Sequence, residues 1–503
     1  MQSIAGPLRP LFSLPRRLSH LLLGAGVGLA CRGGTEPRSA AGGLHVSATG
    51  LVLAVGDTMR LGATWADSLA SYTTLPGRGV PWPAEVPVEW TSGDNRVVRV
   101  AAAGLVTAAG PGTTWITVVA RGLRDTAAVR VSPGAEAPGA VFTEVTAGLG
   151  HTCALAVDRH AACWGDEWHG ATGGGAVRRF TAKLSPAWVA GGLTFTALDA
   201  GGFNTCGLTA DGAAYCWGDD LYNQLGTAEW APSAVPVRVQ APAPFTALRV
   251  GGNHACALTA AGAVYCWGMR APLEPGVPVP TRVGVPGTVT QLAAGGAHDC
   301  ALRADGAAFC WGNNLFGQLG TPGEGPPEIP VNVGGGFRFV AISAGGAHTC
   351  ALDETGVAYC WGDNAEGQLG WNDGASTAVP VPVSGGVLFA QVGAASQHTC
   401  ALGVDSAVYC WGSNALGELG DGGLPGIAGG DMRRWFPTRV AGLSSVQAIT
   451  EGDGRHTCAL TSDGLAYCWG SNGLGELGYG RFDQVTTSGR VARSTATPVA
   501  AIR

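Results

Sequence analysis

Fifteen cysteines, ten histidines and sixteen tryptophans are the residues of this chain best suited to do chemistry, and most of them fall into one repeated pattern. Cys153/Cys163, Cys206/Cys216, Cys256/Cys266, Cys300/Cys310, Cys350/Cys360, Cys400/Cys410 and Cys458/Cys468 each enclose nine residues and use every cysteine except Cys31. Within a pair, apolar residues such as Ala351, Leu352, Val357 and Tyr359 flank a turn at Glu354–Thr355–Gly356, so the unit reads as a hairpin. Opposed residues keep a constant index sum, which sets Cys350 against Cys360 and Leu352 against Ala358. Opposed Cα atoms of an antiparallel pair lie about 4.5–5.5 Å apart, within reach of a disulfide. Disulfides are therefore expected. Reduced cysteines acting as small buried hydrophobes are the alternative, and the filling of both positions in all seven copies speaks against it. Zinc fits poorly, because no short C-x2-C knuckle is present.

Two further residue types travel with the cysteines. A histidine stands two residues before the first cysteine in six copies (His151, His254, His298, His348, His398, His456), and Asn204 takes the place in the second. Six imidazoles invite a metal or proton-relay role. A hydrogen-bond bracket for the adjacent turn is the simpler expectation, since asparagine can replace histidine there but is a poor transition-metal ligand. Trp-Gly follows the second cysteine in every copy (Trp164, Trp217, Trp267, Trp311, Trp361, Trp411, Trp469). Indoles at one repeated position suggest wedges between neighbouring sheets, with carbohydrate-binding aromatics as the functional alternative.

The hairpin turn has an odd length, which calls for a type I turn followed by one left-handed residue. Gly212, Gly262, Gly306, Gly356 and Gly464 supply that residue without a Cβ penalty. Arg159 and Ser406 stand there in the first and sixth copies, where the turn should be strained or differently shaped.

No nucleophile–base pair, paired carboxylate or phosphate-cradling glycine loop stands out, so no enzyme activity, cofactor or metal is expected. Asp57, Asp94, Asp166 and Asp219 read as turn residues. A net charge of −6 with a single lysine, Lys183, gives no broad basic surface for nucleic acid or an anionic membrane.

The elements that position these residues begin after an export-like leader. Arg9, Arg16 and Arg17 precede an apolar run from Leu18 to Ala30, too short to span a bilayer and suited to a signal sequence. Gly28 and Ala30 before Cys31 resemble the lipobox of bacterial lipoproteins, although leucine is one place late, at Leu29. Residues 1–31 are thus expected to be a leader with Cys31 lipidated, and a plainly cleaved secretory signal is the alternative. Residues 32–43 read as a tether. Leu44–Ser132 alternates as strands. Its VEWTSGDNRVVRV, GLVT and PGT segments resemble the bacterial group-two Ig-like domain, which implies a small β-sandwich in a surface setting. Residues 133–140, PGAEAPGA, form a linker.

From 141 to 503 the period of about 50 residues is that of a solenoid or propeller. The motif G-x-x-H-T-x-A-L…W-G-x-N-x-x-G-Q-L-G, clearest at Gly295–Gly320 and Gly345–Gly370, resembles the regulator of chromosome condensation repeat. That resemblance implies an all-β, seven-bladed propeller. Repeats one and three lack the G-Q-L-G tail, having His169–Gly175 and Arg270–Gly276 instead, so their outer loops should differ. A proline-led strand precedes repeats two to seven but not the first. Pro498–Ile502 is therefore expected to complete the blade that begins near Val141.

An exported, disulfide-stapled binding scaffold for a protein or surface glycan is the leading functional expectation. Membrane contact would come only through the lipid anchor. The resemblance alternatively implies guanine-nucleotide exchange, and a related propeller fold suggests inhibition of a β-lactamase. The strongest breaks in the repeat pattern are Asp421–Trp435, ending in Met432, Arg433, Arg434 and Trp435, and Tyr479–Thr497, carrying Arg481 and Phe482. Tryptophan and arginine are enriched in binding hot spots, which makes these the candidate binding loops.

Overall fold

In a computed structural model of the protein, the described residues run from 141 to 500 except 176–180, 270–275, 324–327, 372–373, 424–431, 451–453 and 482–491. Strands and some of their connections between residues 43 and 132 are described as well. The leader, Cys31, the linker at 133–140 and Phe482 lie outside the described residues. Between 43 and 132 ten strands form three small sheets. The four-stranded one sets Leu51–Ala54, Leu123–Ser132, Gly112–Ala120 and Glu89–Ser92 side by side. Its alternating Ile116, Val118 and Val129 are fully buried.

Seven four-stranded antiparallel sheets follow, at 142–188, 197–238, 245–283, 289–332, 339–382, 389–439 and 446–498. They are blades 1 to 7. Each is a plain up-and-down meander, as in blade 5 with Phe339–Ala344, His348–Asp353, Ala358–Gly362 and Thr377–Pro382. The first strands of successive blades adjoin one another from blade 1 to blade 7 and form the inner ring.

The hairpin register is the one that the cysteine spacing dictates: Cys350 faces Cys360 and Leu352 faces Ala358. Every propeller cysteine is bonded within its own hairpin: Cys153 to Cys163, Cys206 to Cys216, Cys256 to Cys266 and Cys300 to Cys310. Cys350 to Cys360, Cys400 to Cys410 and Cys458 to Cys468 complete the set. The paired Cα atoms are 4.1 Å apart in every case, closer than the spacing expected for opposed residues. The ladder explains the difference. Asp353 N–H donates to the Val357 carbonyl at 3.1 Å, and alternation from that pair leaves Cys350 and Cys360 at a non-hydrogen-bonded position, the narrower of the two kinds.

Gly356 takes the left-handed conformation at φ 86°, and Arg159 and Ser406 are forced into the same turn at φ 68° and 63°. The shape is kept and the Cβ strain is accepted. The glycine after each tryptophan has a separate task. Gly362 (φ 106°) marks a bulge at which the fourth strand skips Trp361 and resumes pairing. A Cβ there would lie 2.6 Å from the Ala347 carbonyl oxygen.

The core is a series of inter-blade layers, each setting one disulfide against the indole of the next blade. Cys350 and Cys360 pack with Phe389, Val392 and Trp411. Cys153 and Cys163 likewise meet Trp217, Cys206 and Cys216 meet Trp267, and Cys256 and Cys266 meet Trp311. Cys300 and Cys310 meet Trp361, and Cys400 and Cys410 meet Trp469. Cys458 and Cys468 lie against Trp164, carrying the series across the ends of the chain. Every one of the seven indoles is fully buried, so the wedge expectation holds and surface carbohydrate stacking by these residues does not.

Ring closure differs from the expectation. Pro498 pairs with Tyr467 in the outer strand Ala492–Pro498 of blade 7, not with the blade that begins at Phe142. Each proline-led strand is the outer strand of the preceding repeat. Blade 1 therefore lacks nothing, because its outer strand is Ala182–Trp188. Closure comes from ordinary blade-to-blade packing, with the Phe142 N–H donating to the Gly464 carbonyl at 2.7 Å.

Candidate functional site

The repeated polar residues meet at the seams between blades. His348 Nε2 lies 2.8 Å from Thr399 Oγ1 of the next blade, and that hydroxyl donates to the Gln368 carbonyl at 2.8 Å. Trp411 Nε1–H donates to the same carbonyl at 2.9 Å. Thr399 has a single proton to give, so it must accept from the imidazole, which fixes the Nε2–H tautomer of His348. The same three-way arrangement joins His151 to Thr205, His298 to Thr349 and His456 to Thr152. His398 meets Thr457 likewise, and His254 meets the buried Asp299. These histidines bracket the next blade rather than their own turn, which corrects the sequence expectation. Asn204 is also corrected: its fully buried amide has no hydrogen-bond partner, because Ala255 stands where the others find threonine or, for His254, aspartate.

Five of these six imidazoles are built to stay neutral. Burial lowers His151 to about 4, and His298, His348, His398 and His456 to about 3. The Nδ1 atoms of those five have no hydrogen-bond partner. The ring of His348 lies over Gly345, where a Cβ would sit 2.7 Å from Cε1 and 2.2 Å from the next blade's Ala395 oxygen. This close approach explains the glycine at that place in blades 1 to 5, while Ala395 stands there in blade 6. It also builds a collar of backbone bonds, including Gly252 N–H to Gly295 O and Gly296 N–H to Gly345 O, both 3.1 Å. A buried, neutral, seam-filling imidazole is a structural group. Cys256, Cys266 and Asp299 also converge, but both sulfurs are tied up in the disulfide and offer no thiolate.

Groups that could meet a partner lie elsewhere. The up-and-down strand order puts the inner collar and the loops between third and fourth strands at one end of the ring. Those loops carry exposed apolar tips: Trp168 in blade 1, Leu221 and Trp230 (60 % exposed) in blade 2, Leu315 (70 %) and Phe316 in blade 4, and Met432 in blade 6. Isolated exposed apolar residues are ordinary, and the grouping of large ones at the loop tips of this face makes it the candidate contact surface. The candidate loops belong to this face. Arg433 donates to the Ala365 carbonyl at 2.9 Å, pairs with Glu366 at 3.5 Å and lies over the Trp435 ring at 5.9 Å. Arg434 pairs with Asp421 at 2.8 Å. One blade on, Arg481 and Arg493 lie over Tyr479 at 5.6 and 4.9 Å. Gly422 N–H donates to the Ser494 carbonyl at 2.9 Å, bringing the two irregular stretches to one rim.

Repeat one departs from its expectation. Gly170-Ala171-Thr172-Gly173 rebuilds the tail of the other blades, with positive φ at Gly170 and Gly173. The Ala171 carbonyl accepts from Trp217 and Thr205 as the glutamine carbonyl does elsewhere. Only backbone is used, so the side-chain motif was the wrong signal. The tail of repeat three lies largely outside the described residues. Asp94 and Asp166 accept backbone N–H groups two residues on, as turn residues do. Asp219 does more, accepting from His169 Nδ1 at 2.8 Å and Gln224 Nε2 at 3.1 Å. His169 stacks on Phe203 with centroids 5.7 Å apart. The irregular Trp168-His169 pair was the available signal for this blade 1–blade 2 contact.

Comparison with known proteins agrees with this geometry. Two models described as regulator of chromosome condensation (RCC1) repeat match the chain, one at 195–224, 289–318, 339–368, 389–418 and 449–476. The other matches at 211–258, 305–352, 355–402 and 405–460. No curated protein matches. Among solved structures, Prp20p from Saccharomyces cerevisiae is 23% identical with a TM-score of 0.61, over 69% of this chain and 87% of that one. Human WBSCR16 is 21% identical with a TM-score of 0.55, over 67% and 89%. At that identity the likeness speaks for the fold. The seven blades at 142–498 form a propeller of the regulator of chromosome condensation (RCC1) repeat family.

Proposed function

We propose that this chain is an exported, envelope-anchored binding scaffold: an Ig-like stalk over 44–132 carries a propeller whose loop-tip face recognises a protein or glycan partner. The observation that carries the reading is the set of seven buried intra-hairpin disulfides. Such bonds form and persist outside the reducing cytosol. Guanine-nucleotide exchange on a cytosolic GTPase would require these fourteen cysteines to serve as thiols. Prp20p is described with binding to Gsp1p and histones, and its distant likeness brings neither partner to this chain. Lipidation of Cys31 supplies the anchor, and the aromatic and aliphatic loop tips supply the contact surface.

The test compares partners cross-linked to the full-length protein at the cell envelope. One variant carries Trp168→Ser, Trp230→Ser and Leu315→Ser on the loop-tip face. The other carries Val157→Ser and Val404→Ser, whose exposed side chains lie at the opposite end, by the hairpin turns. Loss of a specific partner in the first variant alone is the expected result. Loss only in the second would move the binding face to the other end.

A further inference from the structure

The inner strands present a structural problem that two seams solve with a glutamine. The inner edge of each first strand is an unpaired sheet edge, with N–H and C=O groups that need partners. Side chains of the preceding blade supply them. Gln391 of blade 6 does so with both ends of its amide: Oε1 accepts from Ile449 N–H and Nε2 donates to the Ile449 carbonyl, each at 3.1 Å. Gln291 of blade 4 donates to the Ile342 carbonyl at 3.3 Å.

Glu144 holds this position in blade 1. It pairs with Leu155 as Gln391 pairs with Leu402, each directly after the bulge that follows the opening phenylalanine. Across the seam, Leu198 stands where Ile449 stands, since each pairs with the residue after its cysteine. Glu144 Oε2 accepts from Leu198 N–H at 3.3 Å, which reproduces half of the glutamine bracket. The other half needs a donor aimed at the Leu198 carbonyl. An ionised carboxylate has none and would set one acceptor against another.

We propose that Glu144 carries a proton and donates it to the Leu198 carbonyl, closing the seam between blades 1 and 2 as glutamine closes the seam between blades 6 and 7. The surroundings favour that assignment. Asp199 is the neighbouring carboxyl, and both of its oxygens already accept: Oδ1 from Thr146 Oγ1–H at 3.3 Å, Oδ2 from Val250 N–H at 2.6 Å. It is therefore the group suited to hold the negative charge. Arg249 on the inner strand of blade 3 is the cation that acts on both carboxyls, and no other titratable group among the described residues faces Glu144. Burial, then the Asp199 charge, push Glu144 up to about 7, while burial raises Asp199 to about 6. The seam is thus pH-sensitive near neutrality, bracketed at both ends when Glu144 is protonated and at one end when it is not.

The sign follows from linkage. A carboxyl raised in the folded state favours folding at low pH, and the benefit is lost as pH climbs towards its folded value. Glu144→Gln keeps the shape and has no proton to lose. The unfolding constant of the wild type relative to Glu144→Gln should rise by about 70-fold between pH 5 and pH 8. A ratio that stays flat overturns the proposal. Infrared difference spectra at pH 6 should show a neutral carboxyl stretch that Glu144→Gln abolishes. If Asp199→Asn abolishes it and Glu144→Gln does not, the proton sits on Asp199 and the proposal fails. Should Glu144→Gln not fold, Gln391→Glu provides the second test. It must make stability fall as pH rises through neutrality, and no change would overturn the proposal.

Discussion

Replacing His348 with asparagine should weaken the protein at pH 7 and cease to do so at pH 5. At pH 7 the variant loses the imidazole bond to Thr399, while Thr399 keeps its bond to the Gln368 carbonyl. Losing one neutral, buried hydrogen bond of this kind costs about 1–2 kcal/mol. The proton balance works the other way. Burial holds His348 at about 3 in the folded chain, against about 6.5 when unfolded. Between those values the unfolded state binds the extra proton, so stability is highest above pH 6.5 and falls as the pH drops. Over pH 7 to 5 that penalty is roughly 2 kcal/mol for this one residue, and His348→Asn escapes it. The two effects are of similar size, so the stabilities of variant and wild type should converge or cross near pH 5. Urea unfolding with the disulfides intact, followed by far-UV circular dichroism, gives both curves. Parallel stability–pH curves for the two proteins would refute the claim that His348 is held neutral at the seam.

Further outcomes follow from the same geometry. Folded protein should resist mild reductants, because the disulfide sulfurs belong to cysteines no more than 2 % exposed. Thiol release without denaturant would contradict that burial, and removing the Cys350–Cys360 bridge should cost about 2–3 kcal/mol. Gly345→Ala, whose Cβ would meet the Ala395 oxygen at 2.2 Å, should destabilise by about 3 kcal/mol. Gly336→Ala has open space and only an unfavourable φ of 68°, so calorimetry should find it about 1–2 kcal/mol less stable than wild type. The proposed anchor has its own test: Cys31→Ser should release the protein from the membrane fraction, and unchanged fractionation would favour a cleaved secretory signal.

The hairpins were legible because residues with a fixed index sum must face one another, and one cysteine pair fixes a whole register. The blade boundaries were not. A periodic sequence reads the same whether the proline-led strand opens a repeat or ends one, and only the pairing of Pro498 with Tyr467 decides. The histidines were recognisable as brackets, but five of their six partners stand 45–59 residues away in the next blade, and His456 meets Thr152 across the ends of the chain. Local sequence carries no sign of that reach. Blade 1's Gly-Ala-Thr-Gly tail was missed because the seam uses the Ala171 carbonyl, to which side-chain identity is irrelevant. The Glu144 bracket became visible only when equivalent inner-strand positions could be compared across seams.

The seam that joins the two ends of the propeller is built like the others. The Phe142 N–H to Gly464 bond of 2.7 Å repeats Phe339 to Gly306 and Phe389 to Gly356, each 2.8 Å, and among the described residues no strand crosses it. A ring closed this way has no privileged origin, so whole repeats can be permuted, gained or lost without leaving a partial sheet behind. The same property carries a hazard during synthesis. Each blade can complete its own sheet as it emerges, which leaves the last free face of blade 7 waiting for blade 1. The first face of a second molecule offers it the same chemistry. Intramolecular closure wins only through effective concentration, and crowding of unfinished chains would favour head-to-tail polymers, the open counterpart of the closed ring.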